Sequence, residues 1–198
     1  MVLAAQRQIG RLPLAGRLGI RRAVGGESVR PELHETVYRR IHDGAMRAIV
    51  DPRMSLVFVH WGIPHPPAIY NAAQDDFSNS PGSSYVDNLK LLDRTIRDIR
   101  LTLERARMWD TSTILITSDH PFRIDTWDRI LGRNSLTDAP QTSEVPFLLK
   151  MNGQKDALKY APALQTVIAK DLVMSILNGE VSQAGHVEAW LNRNPPRQ

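Results

Sequence analysis

Two short runs rich in β-branched and aromatic residues, Ser55 to His60 and Ser112 to Thr117, stand on either side of a long amphipathic stretch. Within that stretch Tyr85, Leu89, Leu92, Ile96, Ile99, Leu103 and Ala106 recur at alternating steps of four and three, the period of one helical face. Ser84 and Asp87 ahead of it have the spacing of a capping box, which starts a helix by satisfying its orphan N–H groups. Both flanking runs are apolar on both faces, as strands buried in a parallel sheet are. Strand, crossover helix and strand make a right-handed βαβ unit, so the two strands should run parallel and open toward the same sheet edge. The expected fold class is therefore α/β, a mostly parallel sheet with flanking helices.

The remaining pattern extends this reading. Leu33, Val37, Ile41, Ala45 and Ile49 repeat every four residues from Glu32 to Ile49, the stripe of a helix that Asp51-Pro52 ends. Val145 to Lys150 reads as a third strand, with Pro146 at its beginning where a missing donor is tolerated. Ala163 to Leu177 is a helix pattern, and His186 to Leu191 a shorter one. The polar excursion from Pro121 to Ser143 carries one helical turn near Trp127 to Leu131.

Composition narrows the function classes. A chain of 198 residues with 42% hydrophobic and 23% charged residues supports one domain with a real core. The absence of cysteine excludes disulfides, thiolate zinc sites and a cysteine nucleophile. No stretch approaches the roughly 20 apolar residues of a membrane span, and Arg7, Arg11, Pro13 and Arg17 break the apolar core a signal peptide would need. Localisation is left open. Residues 1–30 form a basic lead-in segment, in which Arg7, Arg11, Arg17, Arg21, Arg22 and Arg30 face only Glu27, and residues 31–198 form the folded domain. Such an arm suits an anionic membrane surface or a nucleic-acid backbone, but no aromatic residue is interleaved to stack on bases. A solvated arm is favoured, and nucleic acid is not expected as a partner.

Chemistry concentrates at the ends of the two runs. Thr117-Ser118-Asp119-His120 puts a carboxylate and an imidazole side by side where a strand opens into a loop, a placement suited to a divalent metal ion. The competing reading is a plain strand-to-turn transition with Asp119 as the turn residue. After the first run, Trp61-Gly62-Ile63-Pro64-His65-Pro66-Pro67 cannot be helical, because its three prolines remove donors and hold their neighbours extended. It carries His65, which should converge with Asp119 and His120 at the sheet edge. His60 is either a metal partner of His65 or a strand-end histidine bonded in the core, the second being favoured. His34, His42 and His186 fall on expected helix surfaces without ligand spacing.

The strand leading into Pro64-His65-Pro66-Pro67, the helix with Tyr85, Leu92-Asp93 and Leu103, Trp109-Asp110 leading to Thr117-Ser118-Asp119-His120, and Val145-Pro146-Phe147 follow one another in a specific order. From about Leu33 to Leu177 the chain resembles the C-terminal half of sulfatase-like proteins, hydrolases and transferases of the alkaline phosphatase superfamily. The resemblance implies a partial alkaline phosphatase-like fold acting on a sulfate or phosphate ester. It implies that Asp119 and His120 bind a divalent metal ion, and that His65 is a catalytic and substrate-binding residue that contacts an ester oxygen. Carboxylate plus imidazole admits zinc, manganese or calcium. Arg123, three residues past His120, adds a guanidinium able to hold an oxyanion.

Departures from the family accompany the resemblance. No Cys-x-Pro-x-Arg or Ser-x-Pro-x-Arg nucleophile segment is present, and only about fifty residues precede Ser55. The expectation is a fragment lacking its nucleophile, complemented by a missing N-terminal half. Pro121 stands where the family usually has glycine, which keeps His120 extended and removes an amide donor. Glu144 is either a metal ligand or a surface residue, the surface being favoured. Two other function classes stay open: a catalytically inactive metal- or anion-binding module, and a basic nucleic-acid or membrane-surface binder.

Overall fold

The computed structural model describes residues 31–78, 83–122 and 143–194. The expected turn near Trp127 and the candidate Arg123 lie outside the described residues. Helix α1 (Pro31–Ala48) opens on a proline, whose fixed φ and missing N–H suit the first helical position. A two-residue hairpin, β1 (Tyr70–Asn71) and β2 (Asp76–Phe77), follows the proline loop. Helix α2 (Tyr85–Arg105) starts at the capping box the sequence predicts, with Ser84 Oγ accepting from the Asp87 N–H and the Asp87 carboxylate accepting from the Ser84 N–H. Strands β3 (Ile114–Thr117) and β4 (Phe147–Lys150) precede helices α3 (Ile168–Leu177) and α4 (Ala184–Arg193). Among the described residues no helix is long and apolar enough to cross a membrane.

The helices lie close to where the periodicity puts them, though α3 begins at Ile168 rather than Ala163, and on α1 and α2 most of the buried face is turned by about one residue. On α1 the buried residues are His34, Tyr38 and Ala45, whereas Leu33 is 57% exposed. On α2 they are Asn88, Leu91, Thr95 and Leu103. The reason is polar: Thr95 Oγ1 donates back to the Leu91 carbonyl at 2.8 Å, so the Tyr38 hydroxyl donates to Thr95 Oγ1 at 2.7 Å. A buried hydroxyl pair needs this registry, and an unpaired one costs about 1–3 kcal/mol. His34, expected on a helix surface, is thereby turned inward.

Two apolar clusters result. One joins Tyr38, Ile63, Ile69, Tyr70 and Leu91, so α1, α2 and the proline loop share it. The other joins Met151, Ile168, Leu172, Val181, Trp190 and Leu191 beneath β4. There the Trp190 Nε1–H donates to Ser175 Oγ at 3.0 Å, and Ser175 Oγ donates to Glu180 at 2.8 Å, which satisfies the polar edge of a buried indole. Lys150, at the end of β4, donates from Nζ to the Trp109 and Ser112 carbonyls at 2.7 and 2.9 Å and lies over the Trp109 ring. It ties the strand to the turn that enters β3.

The sheet departs from expectation. β3 and β4 pair antiparallel, Ile114 opposite Lys150 and Thr117 opposite Phe147, and the β1–β2 hairpin is antiparallel too. Ser55 to His60 forms no ladder; Leu56 is 55% and Phe58 87% exposed. Parallel pairing of this segment with β3 is therefore absent among the described residues, because a strand exists only where a neighbour takes its N–H and C=O groups. Uncharged, rich in β-branched residues and free of proline, the segment has the character of an unprotected edge. Phe58→Asp is expected to lower self-association, read as light scattering at raised protein concentration, while leaving the thermal midpoint nearly unchanged.

Both central helices end in the same way. After α3, Gly179 takes φ +79°, with its N–H on Ile176 O at 3.0 Å and the Glu180 N–H on Ser175 O at 2.9 Å. These two bonds make a Schellman motif, for which glycine is the favoured residue. After α2 the same pair of bonds forms around Arg107, at φ +59°, with Arg107 N–H on Glu104 O at 2.9 Å and Met108 N–H on Leu103 O at 2.8 Å. An arginine there carries the Cβ penalty of the left-handed region. Arg107→Gly is expected to stabilise the chain by about 0.5–1 kcal/mol, read as a raised midpoint in denaturant with unchanged slope.

Candidate functional site

The proline loop poses a hydrogen-bonding problem. Pro64, Pro66 and Pro67 have no N–H, so the loop carries more carbonyl acceptors than it has donors to meet them. Donors must come from elsewhere. Asn88, fully buried on α2, supplies them: Nδ2 lies 3.2 Å from the His65 carbonyl, 3.3 Å from Pro67 O and 3.5 Å from Pro64 O. Its Oδ1 accepts the Ile69 N–H at 3.0 Å. From the other side His34 on α1 donates from Nδ1 to the same Pro67 carbonyl at 3.0 Å. A Cβ on Gly62 would lie 3.0 Å from His34 Nε2, a tight contact that the imidazole would have to yield to, so glycine there gives the histidine room.

His65 itself is exposed at the tip of this loop. Its Nδ1 donates to the Pro66 carbonyl at 2.7 Å, which in the neutral ring leaves the lone pair on Nε2. His120 repeats the arrangement, its Nδ1 donating to the Pro121 carbonyl at 2.7 Å. Strand β3 delivers this second loop, and Ser118 Oγ donates to the His120 carbonyl at 2.8 Å to close it. His120 Nε2 then stands 3.9 Å from Asp119 Oδ1, both side chains about one-third exposed. Two ligands bound at roughly 2.1 Å to one cation lie about 3–4 Å apart, and an Nδ1–H held by a carbonyl is the usual support of a ligating imidazole. The pair fits one side of a metal centre. Among the described residues no third His, Cys, Asp or Glu joins it.

Both loops are fastened to the first turn of α2. Phe122, two residues past His120, packs on Tyr85 with ring centroids 4.2 Å apart and planes tilted by 43°, and Tyr85 and Asn88 are one helical turn apart. Asp87 between them accepts the Ala72 N–H at 3.1 Å and so also holds the hairpin. Burial pushes the Asp87 carboxyl up, but the hydrogen bonds from Ser84 and Ala72 outweigh it and hold the group below its ordinary range. His60 is exposed rather than bonded in the core, and Glu144 is at the surface. Beside the hairpin, the Tyr70 hydroxyl and Arg94 both bond to Asp75.

Of the site residues named from sequence, Asp119 and His120 are brought together, and His65 is set on a loop anchored to the same helix turn. Asn88 and His34 escape the sequence pattern. Their signal is indirect: a run with three prolines needs outside donors, and Asn88 falls in phase with Leu91 and Thr95 on a buried face.

A family model described as Sulfatase matches residues 30–178. The chain belongs to the sulfatase family. No curated protein and no solved structure matches it. Sulfatases are hydrolases of the alkaline phosphatase superfamily, with an α/β fold, and they generally use a divalent metal ion on sulfate esters.

In this member of the sulfatase family the loop anchor is sensitive to acid. Burial holds the His34 imidazole below its ordinary value of 6.5, an effect partly offset by its bonds to the Pro67 and Gly62 backbone and reinforced by His65 nearby. The unfolded chain therefore binds a proton here before the folded chain does. His34 contributes stability that is fully present above the unfolded value and lost as pH falls through the folded one. The thermal midpoint of the wild type should decline as pH drops below 6.5, and His34→Gln should flatten that part of the profile.

Proposed function

We propose that this chain supplies the metal-binding and oxyanion-facing loops of a sulfatase-like enzyme that hydrolyses or transfers a sulfate or phosphate ester. Asp119 and His120 hold a divalent cation, zinc, manganese or calcium, and His65 presents Nε2 to an ester oxygen. Arg123, outside the described residues, adds a guanidinium to the same oxyanion. The observation that carries the reading is the pair at the end of β3: an imidazole whose Nδ1 is taken by a carbonyl and whose Nε2 stands 3.9 Å from a carboxylate oxygen. Bound there, a divalent cation supplies Lewis-acid stabilisation of the charge that builds on the ester oxygens. His65, fixed by Asn88 and His34, carries the lone pair at Nε2 in the neutral ring and donates from Nε2 to an ester oxygen once a proton is bound there.

Among the described residues two protein ligands fall short of the three that a catalytic zinc centre keeps. In this reading the remaining ligands and the nucleophile come from a further strand-loop-helix unit, the missing N-terminal half. Ser55 to His60, which pairs with no strand among the described residues and exposes Leu56 and Phe58, supports it, since a parallel sheet would be completed by strands added here. A metal- or anion-binding module without turnover is the second reading, favoured by the same two-ligand count.

The test is a thermal-shift titration of the whole chain with zinc, manganese and calcium. The wild type should gain about 2.7 kcal/mol at a hundredfold excess over Kd of the preferred ion, and Asp119→Ala/His120→Ala should gain nothing. No shift with any ion sinks the pair as a metal site. Binding without turnover of a sulfate or phosphate ester, even after a nucleophile-bearing unit is added, selects the second reading.

A further inference from the structure

The proline loop has an odd internal order. Pro66 is buried while its neighbour His65 is exposed, and the Pro66 carbonyl takes the His65 Nδ1–H at 2.7 Å. That carbonyl lies between two peptide units whose own oxygens are pinned from outside. On one side the His65 carbonyl meets Asn88 Nδ2 at 3.2 Å. On the other the Pro67 carbonyl meets Asn88 Nδ2 at 3.3 Å and His34 Nδ1 at 3.0 Å. With both flanking peptide planes held, the plane between them has one orientation, and it points its oxygen back at the His65 ring. The loop cannot hold itself in this form, since its prolines leave it too few N–H donors.

We propose that Asn88 and His34 are positioning residues for His65, setting through the His65 and Pro67 carbonyls both where the imidazole stands and which of its nitrogens faces outward. A buried asparagine of α2 and a buried histidine of α1 converge on the Pro67 oxygen, so the loop is clamped between two helices. Packing alone does not require donors at these two positions. The donors match the carbonyls of a loop whose only ionisable side chain is His65. Asn88 thus decides the hydrogen-bonding state of a side chain it does not touch. The functional consequence rests on the reading of His65 as the oxyanion-facing group, while the positioning stands on the geometry of the loop.

The experiment is imidazole 15N spectroscopy on the labelled full chain, with His65 assigned by its loss in His65→Gln, at a pH where the ring is neutral. In the wild type His65 should hold the proton on Nδ1. Asn88→Asp, equal in shape but without donors, should move His65 toward the tautomer mixture of a free imidazole. His34→Leu should do so in part, and His34→Gln, whose amide can still donate to the Pro67 carbonyl, should restore the wild-type signal. Thr95→Val, which strands the Tyr38 hydroxyl along the same helix, is the control for lost stability and should leave His65 unchanged.

An unchanged His65 signal in folded Asn88→Asp overturns the proposal, as does an equal change in Thr95→Val. Should Asn88→Asp fail to fold, the His34→Leu and His34→Gln pair decides: equal signals in both overturn it, loss and rescue support it. Addition of inorganic sulfate to the wild type, at a pH low enough for His65 Nε2 to carry a proton as well, tests the functional reading separately. Sulfate that leaves the His65 resonances unmoved removes the oxyanion role and leaves the tautomer comparison intact.

Discussion

The side-chain amide of Asn88 meets a shortage that nothing local can repair. A loop with prolines at 64, 66 and 67 exposes carbonyls on all sides and has few N–H groups to answer them. A buried carbonyl left unpaired costs more than an ordinary hydrogen bond contributes. The loop is therefore ordered only where another element brings donors to it. Asn88 brings two donors and also accepts the Ile69 N–H, so one residue fixes the entry to the hairpin as well as the loop. The rest of the N-terminal cluster follows, since Ile63, Ile69 and Tyr70 reach Tyr38 and Leu91 only if the loop takes this path.

The two loops share an economy of design. His65 and His120 each precede a proline, and each gives Nδ1–H to that proline's carbonyl. Proline suits the role because its ring restrains the backbone and its missing N–H leaves no competing local donor. The outcome in both is an imidazole with Nε2 outward. Tyr85 against Phe122 and Asn88 against the proline loop bring the supports of both to one helix turn, whose cap is the Ser84–Asp87 box. Departures from the family's residues, such as Pro121 in place of glycine, are then compatible with a ligating histidine, because the proline carbonyl itself supports the ring.

Much of the helical layer was legible from spacing. The start of α2 followed from Ser84 and Asp87, and α1 and α4 lie close to their expected bounds, because capping and helical period are local properties. Which face turns inward was not legible. Leu33 and Val37 made the stronger apolar stripe, but the Tyr38–Thr95 hydroxyl pair and the His34 bond to Pro67 turned the helix by one residue. The strand at Ser55 to His60 failed for the opposite reason. Its composition is that of a buried strand, yet among the described residues no neighbouring ladder meets it, and β3 takes β4 antiparallel instead.

By itself the sequence determined the helices, the loop between two strand-like runs, the adjacency of Asp119 and His120, and a family resemblance that the match over residues 30–178 bears out. These are written in neighbouring residues, through period, caps and proline chemistry. The tertiary structure alone decided that His34 and Asn88 hold the His65 loop, that β3 and β4 pair antiparallel, and that both histidine loops hang on the first turn of α2. Hydrogen-bond partners distant in the chain decide such features, because a buried polar group must find its complement wherever the fold puts it.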